Sequence, residues 1–202
     1  MSKIETLLKI DKMFILASKS PRRKKLLEQI GIKFEIMESD VDEKEHPLNI
    51  SPKEYAEQLA YKKAVDIANK INKQAIVLGA DTIVVLNNEI LNKPEDRQEA
   101  FSILQKLSGN THTVITGIAL VESWTARKLI TSQSTEVKFR DLTAEEISAY
   151  IETGSPMDKA GAYGIQDDFG AVFISHINGC YYNIVGLPLE LLYRKLKEFV
   201  NQ

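Results

Sequence analysis

Asp81 lies inside the apolar run Ala75 to Leu86, directly after Gly79-Ala80 and before Thr82. A carboxylate in such a run must be paired, hydrogen-bonded or metal-bound, because burying a bare charge is costly. It could act as a hard oxygen ligand for a divalent cation, or as a base that takes a proton from water. A capping or turn aspartate at a strand break would occupy the same position, and position alone leaves the readings open. The second chemical signal is Leu16-Ala17-Ser18-Lys19-Ser20-Pro21-Arg22-Arg23. Here an apolar run stops at two serines, and Pro21 sits where a helix begins. A helix N-terminus presents free N–H groups and the positive end of its dipole, which suits a phosphate. Five of the seven residues from Lys19 to Lys25 are basic, and Arg can grip phosphate oxygens with two parallel hydrogen bonds. A loop of this size suits a small polyphosphate rather than a polymer.

Other groups could support these two. Glu38, Asp40, Asp42 and Glu43 form an acidic stretch, and Mg²⁺ usually takes one or two protein carboxylates plus phosphate oxygens and water. Asp81 and Glu43 are the candidate metal ligands, although most of such a stretch is ordinarily a solvated loop. Ser18, Ser20, Arg23, Lys63, Lys93 and Lys159 are the candidate phosphate contacts. The three histidines, His46, His112 and His176, lack metal-ligand spacing and read as structural. Cys180, the single cysteine, reads as a packed thiol and excludes an internal disulfide framework, which fits a reducing cytosol. No Gly-x-Gly-x-x-Gly or Walker-type loop is present, which disfavours a Rossmann dinucleotide site or a P-loop kinase.

Elements that would hold these groups follow from pattern. Strands are expected at Phe14–Ala17, at Phe34–Met37, and along Ala75 to Leu86 with an interruption at Gly79–Thr82. Asn87-Asn88 reads as a hairpin turn to Ile90. Ser51-Pro52-Lys53-Glu54 is a capping box opening a helix to about Ile71, and Thr143-Ala144-Glu145-Glu146 opens another that Gly154 closes. Pro94–Leu107 and Leu187–Val200 read as helices. Thr111–Val121 and Lys128–Phe139 read as antiparallel strands joined around Trp124. Residues 155–170 read as a functional loop and Ala171–Ile177 as a strand. Together these give an α/β fold: a mixed, bent central sheet flanked by helices, with two lobes around a cleft.

Composition limits the function classes. The 202 residues carry 26 basic and 28 acidic side chains, a net charge of −2, so broad attraction to a nucleic-acid polymer is not expected. No apolar run is long enough to span a bilayer. Residues 1–12 have mixed charge, lack the apolar core of a signal peptide and read as a dispensable extension; residues 13–202 read as a single domain.

Taken in order, the segments Leu16–Arg23, Leu59-Ala60-x-x-Lys63-Ala64, Gly79-Ala80-Asp81-Thr82, Lys93-Pro94, Leu107–Gly117, Asp158–Gln166 and Gly186-Leu187-Pro188 resemble the Maf family of nucleoside triphosphate pyrophosphatases. The resemblance covers nearly the whole chain from Phe14. It implies a fold like that of inosine triphosphate pyrophosphatases, a cytoplasmic homodimer, and hydrolysis of a nucleotide to its monophosphate and pyrophosphate with Mg²⁺ or Mn²⁺. It implies Asp81 as general base, and Arg22, Thr82 and Gln166 as the positions that set substrate preference. Arg, Thr and Gln at those places resemble the dTTP/UTP branch. The family has also been described as septum-formation inhibitors, so a nucleotide-binding regulator of cell division is the alternative expectation.

Overall fold

Residues Met13–Ala17 (MFILA) form β1, and all but Met13 are buried. The computed structural model describes residues 3–42, 50–125 and 127–201. α1 (Lys3–Leu8) precedes β1, and α2 (Pro21–Gln29) follows it with Pro21 in its first turn and Ser20 as its N-cap. β2 spans only Glu35–Ile36, shorter than the expected Phe34–Met37, and both of its residues are exposed. α3 (Pro52–Lys70) opens on the expected capping box: Ser51 Oγ accepts from Glu54 N–H, and Glu54 accepts from Ser51 N–H at 2.9 Å.

β3 (Ala75–Leu86) is one continuous strand of twelve residues, so Gly79–Thr82 does not interrupt it. The expected break is absent because Gly79 stays paired, opposite Ala17 of β1. The Asn87-Asn88 turn does form, both residues having positive φ, and returns the chain as β4 (Glu89–Leu91). α4 runs Arg97–Leu107 rather than from Pro94, because Asp96 caps it by accepting from Glu99 N–H at 2.8 Å. β5 (Thr111–Glu122) and β6 (Lys128–Phe139) are sheet neighbours joined through Trp124. α5 (Ala144–Glu152) carries the second capping box and ends before Gly154 at φ 74°.

The stretch expected as a loop, 155–170, contains two short 3₁₀ turns, Ser155–Asp158 and Ala160–Ala162. The strand expected at 171–177 is instead α6 (Asp168–Phe173) followed by β7 (Ile174–Asn178). Phe169, Val172 and Phe173 have helical spacing, and Phe173 is fully buried. α7 (Tyr181–Val185) and α8 (Leu189–Val200) complete the chain.

The strand order is β2-β1-β3-β5-β6-β7, with β4 on β3. β1 runs parallel to β2 and β3, whereas β4 and β7 pair antiparallel, so the sheet is mixed, and helices accompany it. The chain divides into two units. The first comprises Met1–Asp81, Thr116–Gln133 and Gly186–Gln202. Its core joins Ile15, Ala17, Val77, Ala119 and Val121 of the sheet to Ala60, Ala64 and Ile67 of α3. The second comprises Thr82–Ile115 and Ser134–Val185. Its core gathers Leu104, Leu107, Val137, Phe139, Tyr150 and Phe173. Within residues 3–12, Leu8 is fully buried, and Glu5 accepts from Lys33 N–H at 2.7 Å.

Candidate active site

In the first unit, the pairing of Ala17 with Gly79 puts the ends of two chemical segments side by side. The serine-arginine loop leaves β1 at Ser18, and Asp81 lies two residues beyond Gly79 on the parallel neighbour. The carboxyl ends of parallel strands are where ligands bind in open α/β sheets. Ser18 is buried, and its Oγ accepts from Ser20 N–H at 3.2 Å and from Arg23 Nη1 at 3.1 Å. A hydroxyl has two acceptor positions and one donor, so these bonds direct its O–H outward as a donor. Ser20 Oγ accepts from Arg23 N–H, which shapes the first turn of α2.

Arg23 was expected on phosphate. It is buried, and its Nε donates to the Gly186 carbonyl at 2.9 Å. That bond and the one to Ser18 fix the loop to the segment before α8. Arg22 is half-buried on the first turn of α2. The first turn of α2 itself contains no acidic residue, and a cation at a helix N-terminus is disfavoured by about 0.3–1 kcal/mol. A bound polyanion would relieve that repulsion.

Asp81 and Lys63 meet in the first unit. Lys63 Nζ donates to Asp81 Oδ1 at 2.6 Å, with side chains only 7% and 9% exposed. The strand and helix are built to meet here. A Cβ on Gly79 would fall 2.0 Å from the Ala60 carbonyl and 2.8 Å from Ala64 N. The missing side chain therefore lets α3 rest directly on β3, which brings Lys63, between those two alanines, into reach of Asp81.

A divalent ion fits this donor set only in one way. Among the described residues no group of three or more His, Cys, Asp or Glu could hold a metal. Glu43, the second expected ligand, lies outside the described residues, as does His46. Mg²⁺ needs only one or two protein carboxylates when phosphates supply the rest. Asp81, with one oxygen on Lys63, suits an ion shared with a nucleotide, not a protein-built cage.

The second unit holds Thr82, Lys93, Lys159 and Gln166. Thr82 follows Asp81 in β3, so its side chain leaves the opposite face of the strand. Lys93 is exposed between β4 and α4, not at a helix start. Gln166 is exposed and is the third residue of a tight turn, closed by Asp167 N–H donating to the Gly164 carbonyl at 3.0 Å. Lys159 is buried, with its ammonium on Ser155 O at 2.5 Å, Asp158 Oδ1 at 2.7 Å and Asp167 Oδ2 at 3.2 Å. Sequence reasoning singled out Lys159 but missed Tyr150, Ser155 and Asp167 around it. No short motif marks these three, since they come from α5 and from both ends of the loop.

His112 is buried against Phe139 and Tyr163, and its Nε2 lies 2.8 Å from the Tyr163 hydroxyl. Its Nδ1 has no partner. Burial pushes the imidazole down to about 4, which makes it a neutral structural group, as its spacing implied. Cys180 is half-buried, and its N–H donates to Thr135 Oγ1 at 3.1 Å.

Three comparisons bear on this arrangement. A protein of Ruminiclostridium cellulolyticum named dTTP/UTP pyrophosphatase is 50% identical over 91% of this chain and 94% of its own length. One of Acetivibrio thermocellus with the same name is 48% identical over 92% and 94%. In structure, the Staphylococcus aureus Ham1 protein is similar with a TM-score of 0.51, covering 93% of this chain and 99% of that one at 16% identity, which speaks to fold alone. The model of the Maf-like protein family matches residues 13–199, and the chain belongs to that family.

Proposed function

We propose that this protein hydrolyses dTTP and UTP to the nucleoside monophosphate and pyrophosphate by attack of water on the α-phosphorus. The observation that carries the reading is the buried Lys63–Asp81 pair, with Asp81 in the middle of β3, two residues past the point where the neighbouring β1 ends and leads into the Ser18–Arg23 loop. The names of relatives 44–50% identical over nearly the full chain support the choice of nucleotides. In this reading Asp81 takes the proton of the attacking water on the oxygen not engaged by Lys63. A new P–O bond forms to that water, and the bond to the pyrophosphate leaving group breaks. Lys63 has three N–H donors, so beside its bond to Asp81 it can steady a phosphate oxygen and neutralise charge developing there. Arg22, the Ser18 and Ser20 hydroxyls and Lys93 hold the triphosphate, while Arg23 keeps the loop in shape. Bound Mg²⁺ or Mn²⁺ would screen the phosphates and polarise a phosphoryl oxygen, with Asp81 the described residue able to hold it. Arg22, Thr82 and Gln166 set the base preference. We further infer one functional domain over residues 13–202, a homodimer and a cytoplasmic setting.

The test is product analysis with dTTP and UTP, with metal and with chelator. Pyrophosphate as the first product, lost in chelator, is expected. Orthophosphate as the first product would exclude α-phosphate attack. Nucleotide binding without turnover would favour a regulatory role in cell division.

A further inference from the structure

The turn that carries Gln166 is held by groups with no role in the reaction described above. Tyr150 on α5 is 1% exposed. Its hydroxyl accepts from Gly164 N–H at 3.1 Å and donates to Asp167 Oδ2 at 3.1 Å. One phenol thus bonds to both ends of the Gly164–Asp167 turn. Asp167 Oδ2 also accepts from Ser155 Oγ at 2.5 Å and pairs with the Lys159 ammonium. Lys159 Nζ reaches Ser155 and Asp158 as well. The packing leaves no slack: a Cβ on Gly164 would fall 2.6 Å from Asp167 Oδ2 and 2.7 Å from Lys159 Cε. Burial, with the Asp167 charge as a second cause, raises the Tyr150 phenol well above its ordinary value, so it keeps its proton for that donation. Within the turn Ile165 is buried, whereas Gln166 is exposed. The bonds to Gly164 and Asp167 hold the two ends of the turn, between which Gln166 is exposed.

We propose that Tyr150 and Asp167, braced by Lys159 and Ser155, are positioning residues for Gln166 and so govern discrimination between pyrimidine bases. This rests on the reading of Gln166 as a base-reading residue. A carboxamide distinguishes uracil from cytosine only if its donor and acceptor are held in register with the O4/N3–H or N4–H₂/N3 edge. A turn free to rock would blur that register. The buried lysine of the glycine-rich segment then acts on specificity through the turn rather than on phosphate.

The experiment measures kcat/KM for UTP and for CTP in wild type, Tyr150→Phe, Gln166→Ala and the double variant. Tyr150→Phe keeps the ring in the core and removes only the hydroxyl. Both hydrogen bonds of the hydroxyl are lost, and because they act on the base only through the turn, the UTP/CTP ratio should fall by roughly 3- to 10-fold, the scale of one net hydrogen bond. In the double variant the ratio should equal that of Gln166→Ala alone, because Tyr150 acts through Gln166. A merely structural role would lower both substrates together and leave the ratio unchanged, which overturns the proposal. Independent, multiplying losses in the double variant also overturn it. Should Tyr150→Phe fail to fold by thermal melting, Asp167→Asn carries the same expectation. A wild-type enzyme that turns over UTP and CTP alike overturns the base-reading role of Gln166 and this proposal with it, while absence of any turnover fails the function itself.

Discussion

Replacing Lys63 by Met strands the Asp81 carboxylate at a site where both side chains are less than a tenth exposed. Breaking a buried ion pair by removing one partner typically costs about 3–5 kcal/mol. Each single variant, Lys63→Met or Asp81→Asn, should therefore lose about 3–5 kcal/mol, or about 6–20 °C in melting temperature for a chain of this length. The double variant Lys63→Met/Asp81→Leu leaves no buried charge, and an apolar pair of similar volume is often as stable as the ions it replaces. It should recover to within about 1 kcal/mol of wild type, yet all three variants should lose about 10²–10⁴-fold in pyrophosphate release, as when a positioned base is removed. Denaturant midpoints and single-time-point pyrophosphate assays decide this. Turnover surviving in the double variant would make the pair structural. Stability losses that simply add would show that the two charges do not compensate each other.

Three further outcomes follow from the same geometry. Gln166→Glu places a carboxylate against a pyrimidine carbonyl; a mismatched polar pair costs about 1–3 kcal/mol, so kcat/KM for UTP should fall about 10- to 100-fold while CTP falls less, and an unchanged UTP/CTP ratio would remove Gln166 from base recognition. His112 is neutral and held down to about 4 by burial, while the unfolded chain protonates it near its ordinary value of 6.5. The unfolded state thus binds the extra proton between those values, and stability should fall by about 3 kcal/mol as pH drops from 6.5 to 4; denaturant titrations of wild type and His112→Gln with the same pH slope would refute it. Leu8→Ala opens a cavity under a fully buried side chain and should cost about 2–5 kcal/mol, and a melting curve unchanged by it, or by deleting residues 1–12, would show that α1 is as dispensable as its sequence implied.

The sequence is clearest where local chemistry decides structure. Both capping boxes formed, because Ser51/Glu54 and Thr143/Glu146 satisfy their own helix ends without outside help. The Asn87-Asn88 turn formed because Asn tolerates positive φ. Legibility failed where packing decides. Gly79–Thr82 looks like a break, since glycine and aspartate are poor strand residues, but pairing with β1 and contact with α3 override that preference. The stretch Ala171–Ile177 has β-forming residues, yet burial of Phe173 wins its first part for a helix. In the candidate site, the structure joins Ser18, Ser20 and Arg23 by hydrogen bonds in one loop and Lys63 to Asp81 in one ion pair, both in the first unit. Their division of labour was not legible. Arg23 and Lys159 carry charges that suggest phosphate, and their partners within the fold, Gly186 and Ser18 for the one and Ser155, Asp158 and Asp167 for the other, could not be read from residue type.

The two buried lysines carry different arguments. Lys159 is bound by two carboxylates and a carbonyl within its own loop, and each bond holds a segment that lacks long helices or strands of its own. The ion pairs there substitute for regular structure. Lys63 and Asp81 need no such explanation, because α3 and β3 are already fixed by alanine and glycine packing. An apolar pair would serve the fold at that contact equally well. Under the function proposed above, a carboxylate and an ammonium placed there, near the basic turn that opens α2, belong to a site for a polyanion and the water that attacks it. Because the fold does not require charge at residues 63 and 81, the apolar double variant is the direct test of whether the proposed chemistry occurs there.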